Sequence, residues 1–172
     1  ETDHPYGVFA ADFDGDGDMD VLVAFPGAQV VAWYENTNGQ GTFSTKKTID
    51  ETTAAGVRHI YAADFDGDGD IDVVGSYGTT NKIAWYENTD GQGTFSSQKV
   101  ITTDANYAWG VYAADLDGDG DIDVLSASRS DDKIAWYENN GQGTFSAQKV
   151  ISEVADEGWS VYAADVDGDG DM

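Results

Sequence analysis

Four times in 172 residues the chain places aspartate on every second position of one short run. The run Asp64-Phe65-Asp66-Gly67-Asp68-Gly69-Asp70-Ile71-Asp72 has near-copies at 12–20 and 115–123, and a fourth starts at Asp165. Glycine stands between the carboxylates where the backbone must turn sharply, which it does at no steric cost. Five acidic side chains in nine residues repel one another strongly unless a cation sits among them. Carboxylate oxygens at positions 1, 3, 5 and 9, with a backbone carbonyl at 7, make a hard oxygen set that suits calcium better than magnesium or zinc. A tandem array of calcium loops is the first expectation. Any fold of this chain must pass through it.

The loops keep step with two other landmarks. Asp12, Asp64, Asp115 and Asp165 stand 52, 51 and 50 residues apart. Ala-Trp-Tyr-Glu-Asn recurs at 32–36, 84–88 and 135–139, and Gly-Gln-Gly-Thr-Phe ends at Phe43, Phe95 and Phe145. The step from the ninth loop aspartate to the following tryptophan is 13 residues in all three cases. One structural unit is therefore used three times over.

Each unit reads as four short strands, taken here from the second. Ile60 to Ala63 runs into the loop, Ile71 to Gly75 leaves it, and Lys82 to Glu87 follows. The turn-rich stretch 88–93 then reverses the chain into Phe95 to Thr102, anchored by Phe95 and Val100. Abundant Tyr, Trp, Val and Thr, with no sustained 3.6-residue apolar pattern, agree with β structure. Four antiparallel strands in some 50 residues is the period of a β-propeller blade. The alanine pairs 10–11, 62–63, 113–114 and 163–164 suit an inner strand, where blades crowd near the axis. The fold expected is thus all-β: about 3.3 propeller blades, each with its Asp-rich loop between strands 1 and 2. Units fall at about 8–59, 60–110 and 111–160, with a partial one at 161–172, in a single array over 1–172. A closed propeller needs roughly four to eight blades, so the chain is read as part of a longer one, or as completed by other copies of itself.

An EF-hand opens with a similar acidic run, but it needs a bidentate glutamate at position 12 and helices on both sides. Position 12 is Val23, Gly75 and Ser126, and the flanks are strand-like. Asp-x-Asp-Gly-Asp-Gly-Asp-x-Asp between strands, followed by Lys-Ile-Ala-Trp-Tyr-Glu-Asn and Gly-Gln-Gly-Thr-Phe, instead resembles the FG-GAP/VCBS repeat family, over essentially the whole chain. That family includes calcium-binding blades of integrin α-subunit propellers and seven-bladed lectin-like propellers. The resemblance implies three complete calcium sites. They are Asp12, Asp14, Asp16, Asp18 and Asp20; Asp64, Asp66, Asp68, Asp70 and Asp72; and Asp115, Asp117, Asp119, Asp121 and Asp123, with the seventh position acting through its carbonyl. A fourth, incomplete site has Asp165, Asp167, Asp169 and Asp171. The Phe-Gly-x-x-Gly-Ala-Pro hallmark of integrin blades does not recur, so an extracellular repeat of bacterial or algal style is the better match.

Antiparallel connectivity sorts the loops into two edges. Loops 1–2 and 3–4 share one edge and are nearly identical between units. Loops 2–3 and 4–1 share the other and differ from unit to unit. Scaffold stays fixed while binding surfaces diversify, so recognition is expected opposite the calcium edge. Just before the inner strand the units align Tyr6, Arg58, Trp109 and Trp159, candidates for stacking on sugar rings. Gap-filling between blades is the bland alternative for them. Trp33, Trp85 and Trp136 repeat too regularly to be a specific site and are expected in the core. Glu35, Glu87 and Glu138 are expected to be structural.

The net charge of −25 belongs mostly to the loops, which hold 19 of the 33 acidic residues. Only eight basic residues argue against nucleic acid, whose phosphates need a clustered basic footprint. No apolar run approaches the ~18 residues of a membrane span, and no cysteine informs on compartment. The chain begins at Glu1 without a signal peptide and is read as processed or as a piece. His4 and His59 are not equivalent, no nucleophile elbow occurs, and carboxylates locked on calcium cannot serve as acid and base. A non-enzyme is therefore expected, outside the cytosol or on the cell surface, where millimolar calcium fills such loops. Its expected role is recognition or adhesion, with a glycan or an extracellular protein as partner. A purely structural repeat of a surface layer, fibre or large adhesin is the alternative, and part of a carbohydrate-active enzyme a more distant one.

Overall fold

The computed structural model describes residues 4–172. Twelve strands form three sheets, all antiparallel and four-stranded, each in sequence order. The first contains β1 (Gly7–Ala11), β2 (Asp20–Phe25), β3 (Val30–Tyr34) and β4 (Lys47–Asp50). The second contains β5 (Val57–Ala63), β6 (Asp72–Tyr77), β7 (Lys82–Tyr86) and β8 (Lys99–Thr102). The third contains β9 (Ala108–Ala114), β10 (Asp123–Ser128), β11 (Lys133–Tyr137) and β12 (Lys149–Ser152). A single 3-10 turn, Gly78–Thr80, is the one helical element among the described residues, and no helix there is long and apolar enough to cross a membrane.

The core lies between sheets and not within any one of them. Leu22, Val31 and Trp33 of the first unit close on Val57, Ile60 and Tyr86 of the second. Val74, Ile83 and Trp85 of the second close on Val111, Val124 and Tyr137 of the third. Strands β6 and β10 are buried along their whole length, their serines included. Three of the four alanine pairs, 10–11, 62–63 and 113–114, end the first strands of their sheets. Phe9, Tyr61, Tyr112 and Tyr162 stack in a ladder across successive units, with ring centroids 4.4, 4.9 and 4.6 Å apart.

Adjacent units interlock at the loop edge. Asn88 Nδ2 donates to the Phe13 carbonyl of the preceding unit at 2.9 Å, and Asn139 Nδ2 to the Phe65 carbonyl at 2.7 Å. Gly93 and Gly143 pack against the indoles of Trp33 and Trp85, so closely that a Cβ on either would come within 2.1 and 2.4 Å of a ring carbon. This is why glycine recurs there: both φ is positive (+80° and +67°) and the side-chain space is taken. A second contact joins units one and two. The Tyr86 hydroxyl donates to Asp50 Oδ2 at 2.7 Å and lies 2.9 Å from the Tyr77 hydroxyl, all buried. Burial alone would raise the Asp50 carboxyl, but hydrogen bonds from Thr53, Thr52 and Tyr86 outweigh it and hold the pKa at about 2.

Three expectations need correction. Val100 does not anchor the fourth strand: it is 53 % exposed, while Ile101 packs on the core. A register shift between Ile83 and Ala84, where β7 meets β8, turns the next residue inward. Phe95 does anchor, but through an isolated bridge to Asn88 ahead of the strand. Trp136 is only partly buried, unlike Trp33 and Trp85, which the Gly93 and Gly143 turns of the following units cover. Among the described residues, the fourth unit also shows no strand before its loop.

The equivalent glycines provide a matched test. Gly41 has φ +82° and open space where a Cβ would sit. Alanine there is expected to cost about 1 kcal/mol from backbone strain alone. Gly93→Ala and Gly143→Ala add a clash with the neighbouring indole and are expected to cost about 3 kcal/mol. Urea unfolding of the three variants reads the difference; equal costs would show that the interlock contributes nothing.

Candidate metal centres and the aromatic edge

Each acidic loop is built by its own first aspartate. Asp12 Oδ1 and Oδ2 accept the Gly15 and Gly17 amides at 2.8 and 2.9 Å. Asp64, Asp115 and Asp165 repeat the arrangement. Both glycines of every loop have positive φ, between +72° and +101°, which folds the loop back on that carboxylate.

The ninth aspartate closes the loop and ties it to the rest of the sheet. Asp72 Oδ2 accepts the Phe65 amide at 2.9 Å, and its Oδ1 accepts the Asn88 amide at 2.8 Å. Asp20 does the same with Phe13 and Asn36, and Asp123 with Leu116 and Asn139. All three are buried. Burial pushes their carboxyls up against those hydrogen bonds, with neighbouring loop aspartates adding to the rise, and Asp72 reaches about 7.

The first, third and ninth positions converge. One ligand oxygen from each of Asp12, Asp14 and Asp20 lies within 4.8 Å of the others, as do those of Asp64, Asp66 and Asp72, and of Asp115, Asp117 and Asp123. Twice the ~2.4 Å calcium–oxygen distance is about that span. Asp14 Oδ1 and Asp66 Oδ1 are buried without a hydrogen-bond partner. A buried acceptor left unpartnered beside two more carboxylates is an arrangement that a cation would satisfy, so the residues fit a hard divalent ion. The fifth position lies outside these sets in the complete loops: Asp16, Asp68 and Asp119 accept the amide two residues on. The seventh carboxylates, Asp18, Asp70 and Asp121, pack on Gly39, Gly91 and Gly141 of their own unit's turn. In the fourth loop Asp165, Asp167 and Asp169 group together instead, all exposed.

The opposite edge gathers what the units do not share. Amides of the 4–1 connections donate to the 2–3 turns and the reverse, as in Gly78 to Gly56 at 2.9 Å and Ala155 to Asp132 at 2.8 Å. Loops 1–2 and 3–4 therefore meet at one edge and 2–3 and 4–1 at the other, as the connectivity requires. Tyr6, Arg58, Trp109 and Trp159 come together there. Tyr6 and Trp109 stack with centroids 6.3 Å apart, and Trp109 meets Trp159 edge-on at 4.5 Å. The Arg58 guanidinium lies 5.8 Å from the Tyr6 ring and 5.1 Å from Trp109. Arg58 and Trp109 do not precede their strands but belong to them, each at a register shift that swings the side chain to the edge.

Two members of this cluster escape the repeat alignment. Tyr107 donates nothing to the core; its hydroxyl accepts from Arg58 Nη2 at 3.1 Å. Arg129 lies 4.6 Å from the Trp159 ring and pairs with Glu157 at 2.9 Å. Gly56, Tyr107 and Glu157 occupy one position in successive units, and all are left-handed, with φ of +76°, +54° and +57°. Side chains other than glycine cost about 1–2 kcal/mol there, a strain that tends to persist where the side chain has work to do. Glu35, Glu87 and Glu138 are structural: they pair with Lys47, Lys99 and Lys149, whose ammonium groups lie over Trp33, Trp85 and Trp136.

The FG-GAP-like repeat model matches residues 12–75, 64–126 and 115–172. Among solved structures, a lectin of Agrocybe aegerita, described as recognising non-reducing terminal N-acetylglucosamine, is 26 % identical with a TM-score of 0.62. The alignment covers 87 % of this chain and 38 % of the lectin. The Tc holotoxin pore of Photorhabdus luminescens is 22 % identical with a TM-score of 0.51, over 86 % of this chain and 7 % of that one, and shares the fold alone. This chain thus spans well under half of either. No curated protein matches it.

The ninth aspartate is expected to matter even without metal. Asp72→Ala strands the Phe65 and Asn88 amides and is expected to cost about 2–4 kcal/mol in chelator. Asp68→Ala frees only the Asp70 amide at the surface and is expected to cost under ~1 kcal/mol. Denaturant midpoints of the two variants in chelator decide; equal small losses would mean that Asp72 is only a ligand.

Proposed function

This chain belongs to the FG-GAP-like repeat family, and on that premise we propose that it is a calcium-stabilised, extracellular recognition module of β-propeller type. Its three sheets are propeller blades, and further blades, from a longer chain or from other copies, close the ring. The ions are calcium, held by Asp12, Asp14 and Asp20, by Asp64, Asp66 and Asp72, and by Asp115, Asp117 and Asp123. The fifth and seventh loop positions complete each shell, the seventh through its backbone carbonyl. Asp165, Asp167, Asp169 and Asp171 hold a fourth ion less well, lacking a buried ninth carboxylate. Calcium supplies charge compensation and cross-links strand 1, strand 2 and the 3–4 turn. It leaves the carboxylates no role as acid or base, which supports a non-catalytic reading.

The ligand is a glycan, bound at the edge opposite the ions. One observation carries this reading. Tyr6, Arg58, Trp109 and Trp159, one from each unit, meet in a single aromatic cluster at the edge where the units differ. Aromatic faces beside a cation and polar loop groups are what sugar C–H faces stack on. The lectin neighbour adds support from a protein of related fold. A glycan array probed in calcium and again in chelator tests the proposal. Calcium-dependent binding to defined sugars is expected, weakened at least tenfold by Trp159→Ala. Silence across the array from folded protein would turn the reading to a structural repeat or a protein-binding adhesin.

A further inference from the structure

The chain carries only two arginines against a net charge of −25, and both lie in the aromatic cluster. Their situations differ. Arg129 is neutralised by the chain itself: Glu157, from its left-handed position, docks on the guanidinium at 2.9 Å beside the Trp159 indole. At the same position of the preceding unit stands Tyr107, which offers Arg58 a hydroxyl at 3.1 Å but no charge. Arg58 is enclosed by the rings of Tyr6, Tyr107 and Trp109 at 5.8, 5.5 and 5.1 Å, and its Nε is buried without a partner. No carboxylate among the described residues pairs with it. A cleft of about 240 Å³ opens at this guanidinium, lined by His4, Tyr6, Pro26, Gly27 and Arg58.

We propose that the cleft at Arg58 receives an acidic saccharide, its carboxylate or sulfate on the guanidinium and its ring against the exposed face of Tyr6. The inference rests on the glycan reading above and narrows it. The Glu157–Arg129 pair shows on this same edge how an anion is held beside an indole, and Arg58 has the cation and the rings with the anion's place left open. Charge-assisted contacts to arginine are the stronger kind. The acidic loops do not forbid an anionic ligand. Six-residue strands hold the two edges roughly 20 Å apart, whereas charge is screened within about 8 Å at physiological ionic strength.

The test is calorimetric titration of the whole chain in calcium. The probes are an oligogalacturonate, a sulfated galactan oligomer, and a neutral chito-oligosaccharide of the same length. At least one acidic probe is expected to bind tenfold or more tightly than the neutral one, and a tenfold rise in salt is expected to reduce that preference. The uronate and sulfate arms tell which acid fits. Arg58→Gln is expected to weaken acidic-probe binding at least tenfold more than neutral-probe binding, and Arg58→Lys to restore part of that difference. Equal or tighter binding of the neutral probe by the wild-type chain overturns the inference and leaves the glycan reading standing. Failure of all three probes, alongside a silent array, overturns both. Acidic binding that survives Arg58→Gln but vanishes in chelator would place the acid on the metal ions and also overturn the inference.

Discussion

The buried carboxylate at the ninth loop position is the contact on which the rest of the molecule depends. In Asp20, Asp72 and Asp123 one oxygen takes an amide from the loop's second residue and the other an amide from the 3–4 turn. A single side chain thereby joins strand 1, strand 2 and strand 3 at one point. The same carboxylate converges with two more within 4.8 Å. Like charges this close repel, which offsets part of what the amide hydrogen bonds contribute. Three pairs in each of three loops make a strain that protonation or a divalent cation must relieve. Burial raises the Asp72 carboxyl, with neighbouring aspartates adding to the rise, and so favours the first way; a bound cation is the second.

What the loop fixes within a unit, the Asn and Gly of the next unit extend along the chain. Asn88 and Asn139 reach back to the carbonyl of the residue after the first loop aspartate, and Gly93 and Gly143 cover the preceding tryptophan. Because every buried apolar face lies between sheets, a unit has no core of its own. Its stability is largely a neighbour term, as in other repeat proteins. The loop edge must therefore stay nearly constant, and variation is left to the far edge, where the contacts between units differ from junction to junction.

Repeat period, strand count, loop placement and the sorting of loops onto two edges were legible in the sequence, because each follows from fixed spacings. The four aligned residues Tyr6, Arg58, Trp109 and Trp159 were legible for the same reason. What spacing could not reveal was local irregularity. The register shifts that expose Val100 and swing Arg58 and Trp109 outward depend on how two strands pair, not on either strand alone. Tyr107 and Arg129 stand in loops where no landmark repeats. Their signal was indirect: both arginines fall in variable segments of an otherwise acidic chain. The Asp50–Tyr86–Tyr77 contact was invisible because it occurs at one junction only, with Thr102 and Ser152 in the place of Asp50.

The central claim is that a cation bound by the convergent aspartates holds the sheets together. Thermal unfolding of the chain across a calcium series, against the same chain in chelator, tests it most directly. Linkage requires the melting temperature to rise steadily with the logarithm of free calcium once the sites begin to fill. A steep rise between chelator and millimolar calcium is the expected result. A melting temperature unchanged across that range would contradict the claim.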